Sequence, residues 1–216
     1  MHTGTGKIIE ISLDGARIEC PPNLIPAPGQ VLLAHADRSS APIACPVFSS
    51  GSTADGFIAA PPIPSEWIPG TPLYLRGPLG RGFDLPRAAR KIALIALDDH
   101  PLRLMGMIRL ALAQGAMISL ACDHPPREIP LAVEIVPSSS AHELIAWADM
   151  IAVDVQRAAI EKLSALKLPS HAQVLIAAPM PCGGIAECGV CAVNGKLACK
   201  DGPVIAIHEV HEGTRK

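Results

Sequence analysis

The chain has 216 residues, 18 Lys+Arg against 20 Asp+Glu, a formal charge of -2 and no basic stripe or tail, which excludes the electrostatic footprint of a nucleic-acid binder. Charged residues make up only 18% and apolar ones 49%, against about 25% charged in a typical soluble domain, so part of the surface is expected to face another subunit. The most apolar stretch, Leu102 to Cys122, carries Arg103, Arg109 and Gln114 and is broken by Gly106 and Gly115, so no membrane span is expected.

Of the 22 prolines, 13 fall in the first 86 residues, between short β-prone runs at Lys7 to Leu13, Ala16 to Cys20, Gln30 to His35 and Thr71 to Leu75. Short runs punctuated by Pro and Gly predict a small β-barrel or sandwich over residues 1–88. From Lys91 the texture changes. Lys91 to Leu97 is a continuous apolar run, as in a strand buried on both faces, and a helix is expected over about Pro101 to Gln114, with Met105, Met107, Leu110 and Leu112 as its packed face. Strands at Ala116 to Ala121, Leu131 to Val136, Met150 to Asp154 and Gln173 to Ala178 then alternate with helices at Ser140 to Ala148 and Gln156 to Leu166. That alternation predicts a mostly parallel α/β sheet over residues 89–178.

Residues 179–216 follow neither period. They hold four of the seven cysteines, Cys182, Cys188, Cys191 and Cys199, at gaps of five, two and seven residues, with Gly183, Gly184 and Gly189 between them. The N-terminus shows no basic start followed by an apolar run, so a cytoplasmic, reducing setting is expected, and clustered thiols there point to metal and not to disulfides. Glycines let the backbone curl so that four soft thiolates converge on one centre. Only Cys188 and Cys191 are closely paired, whereas a structural zinc site usually carries two such pairs. The spacing therefore favours a 2Fe–2S cluster, with zinc as the other reading.

Met180-Pro181-Cys182-Gly183-Gly184-Ile185-Ala186-Glu187-Cys188-Gly189-Val190-Cys191-Ala192-Val193 and Lys196-Leu197-Ala198-Cys199-Lys200-Asp201-Gly202-Pro203-Val204 resemble the C-terminal cluster domain of the dihydroorotate dehydrogenase electron-transfer subunit. Pro28-Gly29-Gln30-Val31 is similar to that family's barrel strand, and Gly77-Pro78-Leu79-Gly80-Arg81-Gly82-Phe83 to its junction between barrel and sheet. The resemblance implies a fold of β plus α/β type: a small N-terminal barrel, a parallel sheet domain of ferredoxin-reductase type and a Cys-rich 2Fe–2S loop. It implies electrons passed singly through the cluster to a partner subunit, with Cys182, Cys188, Cys191 and Cys199 as ligands. The first gap is five residues where the family usually has four, so one residue is expected to bulge.

The chain departs from the family at both nucleotide sites. Family members hold FAD on an Arg-Pro-x-Ser/Thr-like stretch, where the guanidinium pairs with pyrophosphate. Here Ala44-Cys45-Pro46-Val47-Phe48-Ser49 keeps Pro46 without the Arg, so FAD is possible but doubtful, with an ordinary edge strand as the simpler reading. Gly77, Pro78, Leu79 and Gly80, flanked by Arg76 and Arg81, are the other flavin candidates, against a plain interdomain turn. Where the family needs a glycine-rich turn for the nicotinamide dinucleotide, this chain has Asp98-Asp99-His100-Pro101, read as a helix cap, and Val153-Asp154-Val155-Gln156 replaces a later Cys-Gly-Pro. NAD(P)H binding is expected to be lost. Cys122-Asp123-His124 is read as a turn, and His208 and His211 as surface residues.

Together these readings predict an electron-transfer subunit without its own hydride acceptor, fed by a redox partner, in the first instance a flavoprotein dehydrogenase. Met180, Ile185, Val190 and Val193 are expected to exclude water around the cluster. A complete FAD/2Fe–2S, NADH-dependent subunit is the first alternative, and a structural subunit with a zinc or redox-silent site the second.

Overall fold

A computed structural model describes residues 1–36, 43–97 and 101–211. Asp98, Asp99 and His100, read above as a cap, lie outside the described residues.

Six antiparallel strands, β1 (His2–Ser12), β2 (Gly15–Glu19), β3 (Val31–Ala36), β4 (Cys45–Ser52), β5 (Gly56–Ala59) and β6 (Pro72–Leu79), close into a barrel in the order β1-β2-β5-β4-β3-β6. Alternation sorts their side chains: Ile8, Ile18, Leu32, Ala34, Phe57, Leu73 and Leu75 point inward around a buried Trp67. Closure requires Gly15 at a φ of +138°, where an L side chain would be strained, packed against the backbone of Ala59.

The second layer is a sheet in the order β14-β11-β10-β7-β8-β9. Strands β7 (Lys91–Ala96), β8 (Met117–Ala121), β9 (Val133–Val136), β10 (Met150–Gln156) and β11 (Gln173–Ala177) run parallel, and β14 (Val204–Ala206) is antiparallel to β11. The unbroken apolar run of β7 follows from burial on two sides. Ile92, Leu94 and Ala96 meet helix α1 (Met105–Ala113), while Ala93 and Ile95 belong to the opposite face, covered by helix α2 (Ala141–Trp147) and Leu163 and Leu166. Fully burying each such Leu or Ile contributes about 1.5–3 kcal/mol.

Several expectations are corrected. The packed face of the first helical segment is Leu104, Met107, Ile108 and Ala111, at spacings of three and four, and Leu110 is 46% exposed. Residues 102–104 form a 3-10 turn before α1. Arg157–Leu166 is 3-10 and not α, interrupted at Ala159, whose φ of -118° is not helical. The strand expected from Leu131 begins at Val133 because Leu131 projects fully into solvent. Asp123 accepts hydrogen bonds from Ser138 N at 3.0 Å and Ser138 Oγ at 2.6 Å, which fixes the turn leading into α2.

Parallel strands β7 and β10 start together because Asp149 Oδ2 accepts from the backbone N–H groups of Arg90 at 2.9 Å and Lys91 at 3.0 Å. Those donors hold the Asp149 carboxyl below its usual range. A depressed carboxylate stabilises above its unfolded pKa of about 4 and loses that contribution as pH falls through the folded value. Asp149→Asn is therefore expected to lower Tm at pH 7, and the gap from the wild type should close in melts recorded below about pH 4.

Candidate metal centre

The tail beyond β11 has too few apolar positions to pack on its own, and it wedges between barrel and sheet. One core joins Val31, Leu33, Phe48 and Leu79 of the barrel, Leu175 and Ala178 of the sheet, and Met180, Cys191, Ala198, Cys199 and Val204 of the tail. Gly184, at a φ of +72°, presses on the barrel so closely that an added Cβ would lie 2.5 Å from Leu79 Cδ1 and 3.2 Å from Leu33 Cδ1.

A two-residue turn brings the last two cysteines together. Asn194 and Gly195, both at positive φ, connect β12 (Ala192–Val193) to β13 (Lys196–Leu197), as Asn-Gly does in tight hairpins. Cys191 and Ala198 follow in register, Ala198 N donating to Cys191 O at 3.2 Å, and the sulfurs of Cys191 and Cys199 stand 3.5 Å apart. The gap of seven residues is thus the length of a hairpin.

Cys182 and Cys188 form the other pair. The loop between them turns through Gly183, Gly184 and Ala186, all at positive φ, so that backbone N–H groups of Cys188, Glu187 and Ile185 face the Cys182 sulfur. Those donors, with the Cys188 side chain, bring the Cys182 thiol down to about 6. Burial first, and then the neighbouring Cys191, pushes Cys199 up to about 11, and Cys199 also interacts with Cys182 and accepts from Ala186 N–H. All four thiols therefore share one neighbourhood.

Among the described residues, no group of three or more His, Cys, Asp or Glu is arranged to hold a metal ion. The four thiols lie as two pairs, Cys191 with Cys199 and Cys182 with Cys188. Cys20, Cys45 and Cys122 do not join them. Cys20 is in the barrel core and Cys122 against α1, and burial raises all three thiols.

Of the four residues expected to exclude water, Met180 packs in the core with Cys191 and Cys199, Val193 belongs to the separate core on the α2 face of the sheet, and Ile185 and Val190 are 44% and 42% exposed. They ride on the outer side of the loop with exposed Cys188, whereas Cys191 and Cys199 face the core. The centre therefore has one buried pair of thiols and one pair toward the surface.

Two of the flavin candidates, Leu79 and Gly80, contact the tail. An added Cβ at Gly80, whose φ is +67°, would run into the Gly202 carbonyl, which accepts from Arg81 N, and Leu79 belongs to the joint core. Gly77 is buried against Val31 and Leu32, and Pro78 follows it in β6. Pro46 lies half-buried in β4 opposite Leu33.

A buried ion pair, absent from the sequence reading, occupies the crevice at the ends of β7 and β10. Arg103 Nε donates to Asp154 Oδ1 at 2.9 Å and Oδ2 at 3.0 Å, with the side chains 7% and 0% exposed. The chain runs outward from β7 through β8 and β9 and returns on the other side to β10, so this is the sheet's switch point, where open α/β sheets take nucleotides. One signal was available: Asp154 is the only carboxylate in the strand Met150–Gln156.

No protein-family profile and no curated protein matches the sequence. Solved structures match in shape: the ferredoxin reductase of carbazole 1,9a-dioxygenase at a TM-score of 0.58, 17% identity and 79% of this chain; its FAD apo form at 0.56, 16% and 79%; and an Amycolatopsis cytochrome P450 reductase at 0.56, 14% and 80%. This is a ferredoxin-reductase fold. The match spans 66%, 65% and 69% of those chains respectively. No described helix is long and apolar enough to cross a membrane.

Two outcomes follow for this version of the ferredoxin-reductase fold. Arg103→Leu, which removes the guanidinium from a buried carboxylate, is expected to cost about 3–5 kcal/mol in urea unfolding, and Arg103→Leu with Asp154→Leu to recover most of it. Gly80→Ala, strained in φ and blocked by Gly202, is expected to cost about 1–3 kcal/mol in the same measurement.

Proposed function

We propose that this chain is the iron–sulfur electron-transfer subunit of a multi-subunit oxidoreductase, relaying single electrons to or from a redox partner. The observation that carries the reading is the gathering of Cys182, Cys188, Cys191 and Cys199 into two thiol pairs, one packed into the core and one at the surface. When bound, a 2Fe–2S cluster accepts and releases one electron at a time. The chain's own part is to supply four thiolates and to aim the Ile185, Glu187 and Cys188 N–H groups at the Cys182 sulfur, which lowers the cost of negative charge there. Met180 keeps one side dry, and the Cys188 side gives a partner access.

The ferredoxin-reductase fold supports an oxidoreductase role, and the tail's resemblance supports the finer reading, a relative of the dihydroorotate dehydrogenase electron-transfer subunit. We infer that the chain carries no hydride acceptor of its own. Leu79 and Gly80 are engaged by the tail, β4 lacks the pyrophosphate-binding Arg, and the Arg103–Asp154 pair fills the switch point. Electrons would then arrive from a partner's reduced flavin or cluster.

Anaerobic purification with iron, sulfide, zinc and acid-released flavin analysis tests the reading. Two irons and two sulfides per chain without flavin are expected. Stoichiometric flavin would restore the complete NADH-dependent subunit, and zinc without sulfide would make the site structural. Cys191→Ser and Cys199→Ser are expected to abolish iron binding, while Cys20→Ser, Cys45→Ser and Cys122→Ser retain it in full.

A further inference from the structure

The four thiols of the tail differ in access. Cys191 and Cys199 are 1% and 3% exposed and lie in the core that the tail shares with Val31, Leu33, Leu79 and Met180. Their sulfurs, 3.5 Å apart, are within reach of each other, but a reagent in solution meets neither until the tail leaves its seat. Cys188 is exposed and Cys182 half-buried, on the outer side of the same centre.

Loop geometry brings the outer pair together. Positive φ at Gly183, Gly184 and Ala186 curls the loop back on itself, so that the N–H groups of Ile185, Glu187 and Cys188 face the Cys182 sulfur and the Cys188 side chain bonds to it. The loop thus holds the second sulfur against the first. Its inner side is fixed, because Gly184 packs on Leu79 and Leu33. Its outer side is free: an added Cβ at Gly189, directly after Cys188, would meet nothing within 4 Å, so Cys188 has room for the small shift that closing an S–S bond needs.

We propose that Cys182 and Cys188 form a thiol–disulfide switch that, in the metal-free chain, exchanges with small disulfides of the glutathione class, and that the closed disulfide withholds the outer half of the centre from metal loading. Cys188 loses its proton to solvent and attacks one sulfur of the small disulfide. The first glutathione leaves as a thiolate and takes up a proton, and a mixed disulfide remains on Cys188. Cys182 then attacks the Cys188 sulfur, and the second glutathione leaves in the same way. Two protein thiols are oxidised to one disulfide, and one small disulfide is reduced to two thiols. Reduced glutathione in excess runs both steps backward. Cys191 and Cys199 stay as thiols because burial keeps the oxidant from them. What the switch gates rests on the relay reading above; the exchange itself needs only the metal-free chain.

Full-length chain, stripped of metal anaerobically with a chelator, is incubated with oxidised glutathione, quenched with an alkylating reagent and mapped by mass spectrometry. Cys182–Cys188 is the disulfide expected, with Cys191 and Cys199 reacting at least about a hundredfold more slowly. Cys182→Ser should instead trap a mixed glutathione disulfide on Cys188, and Cys188→Ser should slow oxidation of the centre about tenfold. Supplied with ferrous iron and sulfide, the disulfide form is expected to take up less than about a tenth of the iron that the reduced chain takes, and reduced glutathione to restore full uptake. A first disulfide between Cys191 and Cys199, a wild-type chain that keeps all its thiols or stops at the mixed disulfide, or a disulfide form that loads as much iron as a fully loading reduced chain would overturn the switch. A chain that closes Cys182–Cys188 yet takes up no iron even when reduced would sink the relay and leave the exchange in place; a reduced chain that loads fully but closes Cys191–Cys199 first would sink the switch and leave the relay.

Discussion

The structure depends on a joint that neither domain could build alone. Val31, Leu33, Phe48 and Leu79 leave an apolar patch outside the barrel, and Leu175 and Ala178 leave another at the end of the sheet. Neither patch is closed by its own domain. The tail closes both, through Met180, Ala198 and Val204 and through two of its four cysteines. Because two thiols are core residues and two are not, the tail's packing fixes which side of the cysteine centre is dry and which meets solvent. The same packing sets its demand for glycine. Gly80 and Gly202 touch backbone to backbone, so any side chain at Gly80 would lift the tail off its seat, and Gly184 lies on Leu79 at a φ of +72° that disfavours an L side chain.

Charge burial tells a complementary story at the sheet's switch point. Arg103 and Asp154 form an ion pair buried to within a few percent beside the point where the strand order reverses. Removing two charges from water costs several kcal/mol per ion, offset only when geometry is good. The near-symmetric reach of Arg103 Nε to both Asp154 oxygens meets that condition. Leu97 N also donates to the Asp154 carbonyl, so the backbone of this residue holds the end of β7 while its side chain holds the 3-10 turn that leads into α1.

What the sequence discloses and what it hides divide along locality. Lys91 to Leu97 and Gln173 to Ala178 were legible because a strand buried on both faces needs an apolar residue at every position. The barrel's runs were legible as alternation between Pro and Gly turns. Strand β14 and the β12–β13 hairpin were missed: three and two residues are too few to show a period, although Asn194-Gly195 is a recognisable turn signal. Leu110 was misplaced because hydrophobicity alone does not say which side of α1 faces the sheet; Leu104, Met107, Ile108 and Ala111 share the buried side, and Leu110, although three residues after Met107, falls outside it. Ile185 and Val190 were placed inside for the same reason, although a loop that turns at nearly every residue must put some apolar side chains outward. The Arg103–Asp154 pair spans 51 residues and depends on strand order, so no local pattern could reveal it.

The four cysteines were legible as a set, and their pairing was not. Spacing places Cys188 next to Cys191, yet the fold separates them, giving Cys188 to Cys182 at the surface and Cys191 to Cys199 in the core. The reason is mechanical. A hairpin closed by Asn194-Gly195 needs Cys191 at the base of one arm and Cys199 just past the other, and it returns the chain to the joint where Ala198 and Cys199 are buried. The loop before it, freed by Gly183, Gly184 and Gly189, takes the outer side. On the relay reading proposed above, charge would enter or leave across the Cys182–Cys188 side, where Ile185 and Val190 offer apolar surface that a partner could cover. A covering subunit there would account for both the low charge content of the chain and the exposure of those two residues.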